Sequence, residues 1–183
     1  MLRTADIKSL IPETLAYAAR VLAQLGERGD ATIRLREAEG LVEQQVERGN
    51  LGYVATVYNS LGQACLQLGS IENAHRFAER AIEAAAVRPV HAPQSLLLLA
   101  DIASHPDRFD PENGETCYRK AMAAAETQGQ RPVLTHCHFG LGRLYSQLGE
   151  RREAGKHFTI ATTMYRDMGM TYWLREAEAQ KLP

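Results

Sequence analysis

Cysteine is scarce in this chain. The three that occur, Cys65, Cys117 and Cys137, are odd in number, widely spaced and never arranged as CxxC. That excludes a disulfide framework as the basis of the fold and leaves free thiols that pack as small hydrophobes. Long apolar runs are also missing: the longest, Leu96 to Ala100, is far too short to span a bilayer. Neither sign of charge dominates, with 21 Lys and Arg against 22 Asp and Glu and a net charge of −1. The chain therefore lacks the basic footprint of a nucleic-acid binder or of a protein drawn to anionic membranes. The first residues, MLRTADIKSL, carry no hydrophobic signal segment, so the expectation is a cytoplasmic protein. No stretch alternates apolar and polar residues in the manner of a strand. What is present is an ordinary hydrophobic share, 45% of 183 residues, enough to bury a real core in one domain or one run of repeats over residues 1–183.

Catalytic signatures are absent too. The nearest approach to a phosphate loop, Gly149 to His157, has five residues between its glycines where four are needed. It also places His157 where a magnesium-binding Ser or Thr belongs. The same segment reads as the start of a helix. His136, Cys137 and His138 are consecutive, and consecutive residues of a helix point in different directions, so they do not converge on a metal. There is no hydrolase elbow, HExxH, EF-hand or dinucleotide fingerprint. Paired carboxylates such as Glu37 and Glu39, or Glu176 and Glu178, read as charged helix faces. Glu79 and Glu83, flanked by Arg76 and Arg80, read as a solvated face with ion pairs along the helix. The expectation is a protein without catalytic residues, cofactor or metal.

The informative feature is a repeat. Leu61, Gly62, Cys65, Gly69, Ala74, Ala78 and Ala81 have the same spacing as Leu141, Gly142, Tyr145, Gly149, Ala154, Phe158 and Ala161. The template also fits Ala18, Ala19, Leu22, Gly26, Ala31, Leu35 and Ala38. A fourth copy begins at Leu99, Ala100 and Ala103, loses the turn glycine to the insert HPDRFDP, and regains register at Gly114, Tyr118 and Ala121. The small residues at 19, 62, 100 and 142 let two helices approach closely. The glycines at 26, 69 and 149 end a first helix where positive φ is cheap, and the alanine five residues on marks the helix crossing. Gly49, Gly129 and Gly169 fall where second helices end. Asp110-Pro111 and Ser70 read as helix starts, and Pro89, Pro93 and Pro132 fall in connections. After Gly169, Met170, Trp173, Leu174 and Ala177 share one face of a short amphipathic helix that closes the stack. Trp173 is expected to be buried against the second helix of the fourth pair.

These residues resemble the tetratricopeptide repeat over about residues 12 to 168, in pairs of about 12–48, 55–88, 93–128 and 135–168, with a closing helix at about 171–181. The resemblance implies an all-α, right-handed solenoid of antiparallel helix pairs that binds rather than catalyses. Two departures accompany it. The small residues are 43, 38 and 42 apart, against a usual repeat of about 34. The early aromatic of the first helix is replaced by Leu15, Leu96 and His138 in all copies but that of Tyr58. The segments RPVLTHCHFGLGRLY and MYRDMGMTYWLREAEA, with the insert HPDRFDPE, are similar to the C-terminal repeat region of large bacterial regulators. In those proteins an ATPase module, with a nucleotide cyclase or a transcriptional output domain, precedes the repeats.

In such arrays the first helix of each pair lines a concave groove. The stripe next to the packing face then holds Glu13, Ala16, Arg20 and Gln24 in the first pair and Thr56, Asn59, Gln63 and Gln67 in the second. It holds Gln94, Leu97, Asp101 and His105 in the third and His136, Phe139, Arg143 and Gln147 in the fourth. Amides that pair with a peptide backbone, arginines that grip a carboxylate, and Phe139 and Leu97 as apolar anchors point to a protein or peptide partner. A second copy of the chain is an admissible partner, while nucleic acid and membrane are not expected. The competing reading is a small-molecule sensor whose curvature changes on binding.

Overall fold

A computed structural model describes the backbone of residues 4–180 and the side chains of residues 10–180. Among the described residues there are nine α-helices and no strand: α1 (Thr4–Gln24), α2 (Arg28–Glu47), α3 (Val54–Gln67), α4 (Ile71–Ala85), α5 (Ala92–Ala103), α6 (Pro111–Thr127), α7 (Arg131–Gln147), α8 (Arg151–Asp167) and α9 (Thr171–Ala179). None of the described helices is long and apolar enough to cross a membrane. Packing divides the chain between Leu98 and Leu99 into two compact units.

One turn closes most of these helices. Gly26, Gly69 and Gly149, and Gly49, Gly129 and Gly169, all have positive φ, from 66° to 84°. At each, the amide three places beyond the helix end reaches back to a carbonyl in its last turn, as from Ser70 N to Cys65 O at 2.8 Å and from Glu150 N to Tyr145 O at 2.8 Å. This is the bonding of a Schellman cap, which satisfies carbonyls the helix leaves open. The third pair, which lacks the glycine, uses a 3-10 turn at Pro106–Arg108 and a bond from Asp110 N to Ala103 O at 2.8 Å instead.

In the first unit α1 packs on α2 and α3, and α3 packs on α4. Ala19, Ala23, Ala31 and Ala64 form the seam, flanked by Leu22, Leu35 and Leu68. Gly62 is required by contact: a Cβ there would come within 2.5 Å of Leu98 Cδ2. Arg76 and Arg80 meet carboxylates of α2 rather than, as the sequence implied, those of their own helix. Arg76 Nη1 lies 2.9 Å from Glu39 Oε1, and Arg80 grips Glu43 with both terminal nitrogens while its guanidinium sits 4.5 Å over the Tyr58 ring. The α2 carboxylates win because they offer a forked partner and Tyr58, whose hydroxyl donates to Glu43 Oε1 at 3.1 Å, adds an aromatic face.

Other expectations shift at helix ends. The first helix begins at Thr4, well before residue 12, with Pro12 inside it. Pro93 and Pro132 belong to the first turns of α5 and α7, where a missing N–H costs nothing, rather than to connections. Asp110 caps α6 by accepting from Asn113 N at 3.2 Å. Ser70 stands at the N-cap of α4, but its hydroxyl accepts from Asn73 Nδ2 at 2.9 Å instead of from the backbone.

In the second unit α7 packs on α6 and α8, and α9 on α8. A Cβ at Gly142 would meet Phe158 Cδ1 at 2.6 Å, and one at Gly140 would overlap the Tyr118 ring. Trp173 is half-buried, less covered than the sequence implied, and meets α7 as well as α8. Its ring lies 4.7 Å from His136, 6.3 Å from Phe139 and 6.4 Å from Tyr165. Because part of the indole is already in solvent, Trp173→Ala is expected to destabilise by about 1.5 kcal/mol, roughly half the cost of a fully buried ring. Chemical unfolding followed by far-ultraviolet circular dichroism measures this, and an unchanged midpoint would mean that α9 contributes nothing to the second unit.

Candidate functional site

The residues named for the stripes lie on the first helices, except His105, which falls beyond α5 at the start of the Pro106–Arg108 turn, and several are less open than expected. In the first unit, Arg20 Nη1 donates to Gln63 Oε1 at 2.6 Å, joining α1 to α3. Thr56 Oγ1 lies 3.3 Å from His91 Nδ1, and Asn59 Nδ2 donates to Ser95 Oγ at 3.1 Å, joining α3 to the start of α5. Gln24 and Gln67 stand exposed at the helix ends. Burial pushes the Glu13 carboxyl above its ordinary range.

The α3–α5 row is unusual in its accounting. Ser95 Oγ donates to His91 O at 3.2 Å, so toward Asn59 it can only accept. That fixes the Asn59 amide with its nitrogen on Ser95 and its Oδ1 turned elsewhere. Asn59 is only 7% exposed, and its Oδ1 has no hydrogen-bond partner. His91 Nε2 and Gln94 Oε1 are buried without partners as well. Burial, reinforced by Arg88, lowers the His91 pKa, so the ring is neutral near pH 7. Three unpaired polar atoms on one helix–helix row are unusual, since buried polar atoms are nearly always satisfied and each orphan costs about 1–3 kcal/mol.

In the second unit, the Tyr118 hydroxyl donates to Asp101 Oδ1 at 2.7 Å. Burial pushes the Asp101 carboxyl up to about 6, against the pull of the Tyr118 bond and of the Arg143 charge. Arg143 and Gln147 are exposed. His136 and Phe139 are drawn into an aromatic cluster. The Tyr165 hydroxyl lies 2.7 Å from His136 Nδ1, and the Phe139 ring lies 6.1 Å from Phe158 and 6.2 Å from Tyr165. Phe139, at 8% exposure, and Leu97, at 6%, are part of helix packing and do not present open apolar anchors. The stripe curls into the neighbouring helix at these positions, and an apolar residue there is covered.

The other sequence candidates separate as the helix geometry requires. His136 faces Tyr165 and Trp173, Cys137 is fully buried, and His138 Nδ1 lies 2.9 Å from His157 Nδ1. Burial and then His157 bring the His138 pKa down to about 4. The phosphate-loop lookalike is the turn and first helical turns of α8, with Lys156 Nζ on Glu153 Oε1 at 2.6 Å. Among the described residues no group of three or more His, Cys, Asp or Glu is placed to hold a metal. Sequence reasoning missed His91, which lies in a short turn before its helix (Pro89–His91), and Ser95. It read Tyr118 as packing only, because nothing in a linear motif marks a tyrosine that meets an aspartate 17 residues before it.

Residues 55–87, the α3–α4 pair, match the tetratricopeptide repeat. No curated protein matches the chain. The second pair is thus a tetratricopeptide repeat by sequence, a module that in general mediates protein–protein interaction, and the other pairs share its helix–turn–helix form.

Proposed function

We propose that this chain is a non-catalytic scaffold that binds a protein or an extended peptide along the first helices of its pairs. In keeping with the likeness of its last third to bacterial regulators, we place it as a cytoplasmic regulatory or sensor module. The observation that carries the reading is the set of unpaired atoms at Asn59 Oδ1, His91 Nε2 and Gln94 Oε1. Two amide carbonyls are suited to the N–H groups of a bound segment, and the imidazole nitrogen to a donor or an acceptor according to the tautomer set by Thr56, so the segment's arrival would remove the cost of leaving them unpaired. In the second unit the exposed Arg143 adds a forked donor for a carboxylate.

The test uses Gln94→Ala and Arg143→Ala. Gln94 Oε1 makes no hydrogen bond, so removing it should leave folding stability unchanged or slightly improved. Affinity for a partner recovered from the source cell should fall about tenfold, the worth of one hydrogen bond. Arg143→Ala should change stability by about 0.5 kcal/mol or less and weaken a carboxylate-bearing partner by a similar factor. Wild-type affinity in both variants would refute the reading. Loss of binding to a metabolite rather than to a polypeptide would replace it with a small-molecule sensor.

A further inference from the structure

The first helix carries an apolar stripe that has no cover. Leu10, Ile11, Tyr17, Val21 and Leu25 are all exposed, Leu25 at 71%. The repeat register shows what this stripe is. Advancing Ile11, Thr14, Ala18, Val21 and Leu25 by one repeat, 43 residues, gives Val54, Val57, Leu61 and Ala64 of α3 and Leu68 at its C-cap. There Val57, Leu61 and Ala64 are fully buried, and Ala64 lies in the seam with Ala19, Ala23 and Ala31. In α7 the equivalent Cys137, Leu141 and Leu144 are fully buried as well, in a helix that packs on the preceding α6. The outer face of α1 is therefore a stacking face with nothing stacked on it among the described residues. At the other end of the chain α9 covers α8, with Ala177 fully buried.

The stripe is also symmetric along the helix. About a centre between Tyr17 and Ala18, Leu10 matches Leu25 and Thr14 matches Val21, while the large Tyr17 matches the small Ala18. An antiparallel copy of the same helix would set leucine on leucine at both ends and a tyrosine over an alanine twice at the middle. None of these positions is charged, so a two-fold pairing meets no like-charge repulsion. We propose that a second copy of this chain covers the stripe, α1 against α1, in an antiparallel isologous pair. A closed two-fold interface of this kind uses one patch on both partners and ends the assembly at two. It lies on the stacking face, beside the polar row of Arg20 and Gln63, with the Arg20 guanidinium 5.6 Å from the centre of the Tyr17 ring.

The experiment is sedimentation of the full chain over a range of concentrations, with oxidative cross-linking of single-cysteine additions. The native cysteines, Cys65, Cys117 and Cys137, are buried, so cross-links report on the added thiol. The wild-type chain sediments as a dimer. Val21→Glu, at a half-exposed position, keeps the wild-type helical signal and raises the dissociation constant by at least about thirtyfold, the scale of an interface hot spot. Tyr17→Cys, near the two-fold centre, cross-links to its copy. Leu25→Cys, about 22 Å from its own mate across an antiparallel pair, does not. A monomer at every concentration, or a dimer indifferent to Val21→Glu with its fold intact, overturns the proposal. Cross-linking of Leu25→Cys as readily as Tyr17→Cys overturns the antiparallel register.

Discussion

Replacing Gly140 by alanine will destabilise the second unit by about 3 kcal/mol, the upper range for forcing one methyl into a packed interior. Gly140 lies in α7 beneath Tyr118 of α6, and an added Cβ would overlap the Cε1, Cζ and hydroxyl oxygen of that ring. Tyr118 has little room to yield. It is among the largest fully buried side chains, and its hydroxyl is tied to Asp101. Gly155 provides the control. It stands in the second turn of α8 with nothing within 4 Å of an added Cβ, so Gly155→Ala should stabilise by about 0.5–1 kcal/mol through helix propensity alone. Trp173 lies in the same unit, and its fluorescence during urea unfolding reports on that unit directly, which matters where two compact units need not unfold together. A loss below about 1 kcal/mol in Gly140→Ala would mean that Tyr118 swings aside at little cost.

The second large effect is expected at the same ring. Tyr118→Phe removes a hydrogen bond to a carboxylate and should cost about 2 kcal/mol near pH 8. Its pH dependence follows from Asp101. In the folded chain that carboxyl is raised from 3.8 to about 6, so folding penalises the ionised form. The contribution of Asp101 to stability is therefore greatest below about pH 4, declines as pH rises toward 6, and is level above that. The Tyr118 hydroxyl is the main hydrogen bond opposing the rise. Without it the folded pKa climbs further and the decline deepens, so the gap between wild type and Tyr118→Phe widens from pH 5 to pH 8. Melting midpoints across that range test the claim, and a gap independent of pH would mean that the hydroxyl does not sense the charge on Asp101.

How much of this was legible beforehand depends on the kind of contact. The turn glycines, the small residue at Gly62 and Gly142 and the alanines of the helix crossing are set by a backbone that recurs, so a spacing template finds them. Gly140 escaped that template. The same register position is Tyr17 in the first pair and Ser60 in the second, and glycine is needed only because Tyr118 stands where the second pair has Ala78. That is a compensation between two helices, invisible when each is read alone. The polar stripe was placed on the right residues, but its exposure was misjudged at Asn59, Leu97 and Phe139. Helix periodicity gives the direction of a side chain and not how far the next helix reaches over it. The ion pairs of Arg76 and Arg80 were misassigned for the same reason. Sequence neighbours were visible, while Glu39 and Glu43, about one repeat earlier, were not.

Binding along the first helices is tested most directly by placing a photo-activated cross-linking side chain at single exposed positions and irradiating in the source cell. Gln67 and Gln147 lie on the stripes of α3 and α7, while Gln44 of α2 and Thr163 of α8 are exposed on second helices. Discrete adducts from positions 67 and 147, heavier than the chain and distinct from its own dimer, with none from 44 and 163, are the predicted result. Adducts from 44 and 163 alone, with positions 67 and 147 silent, would contradict it.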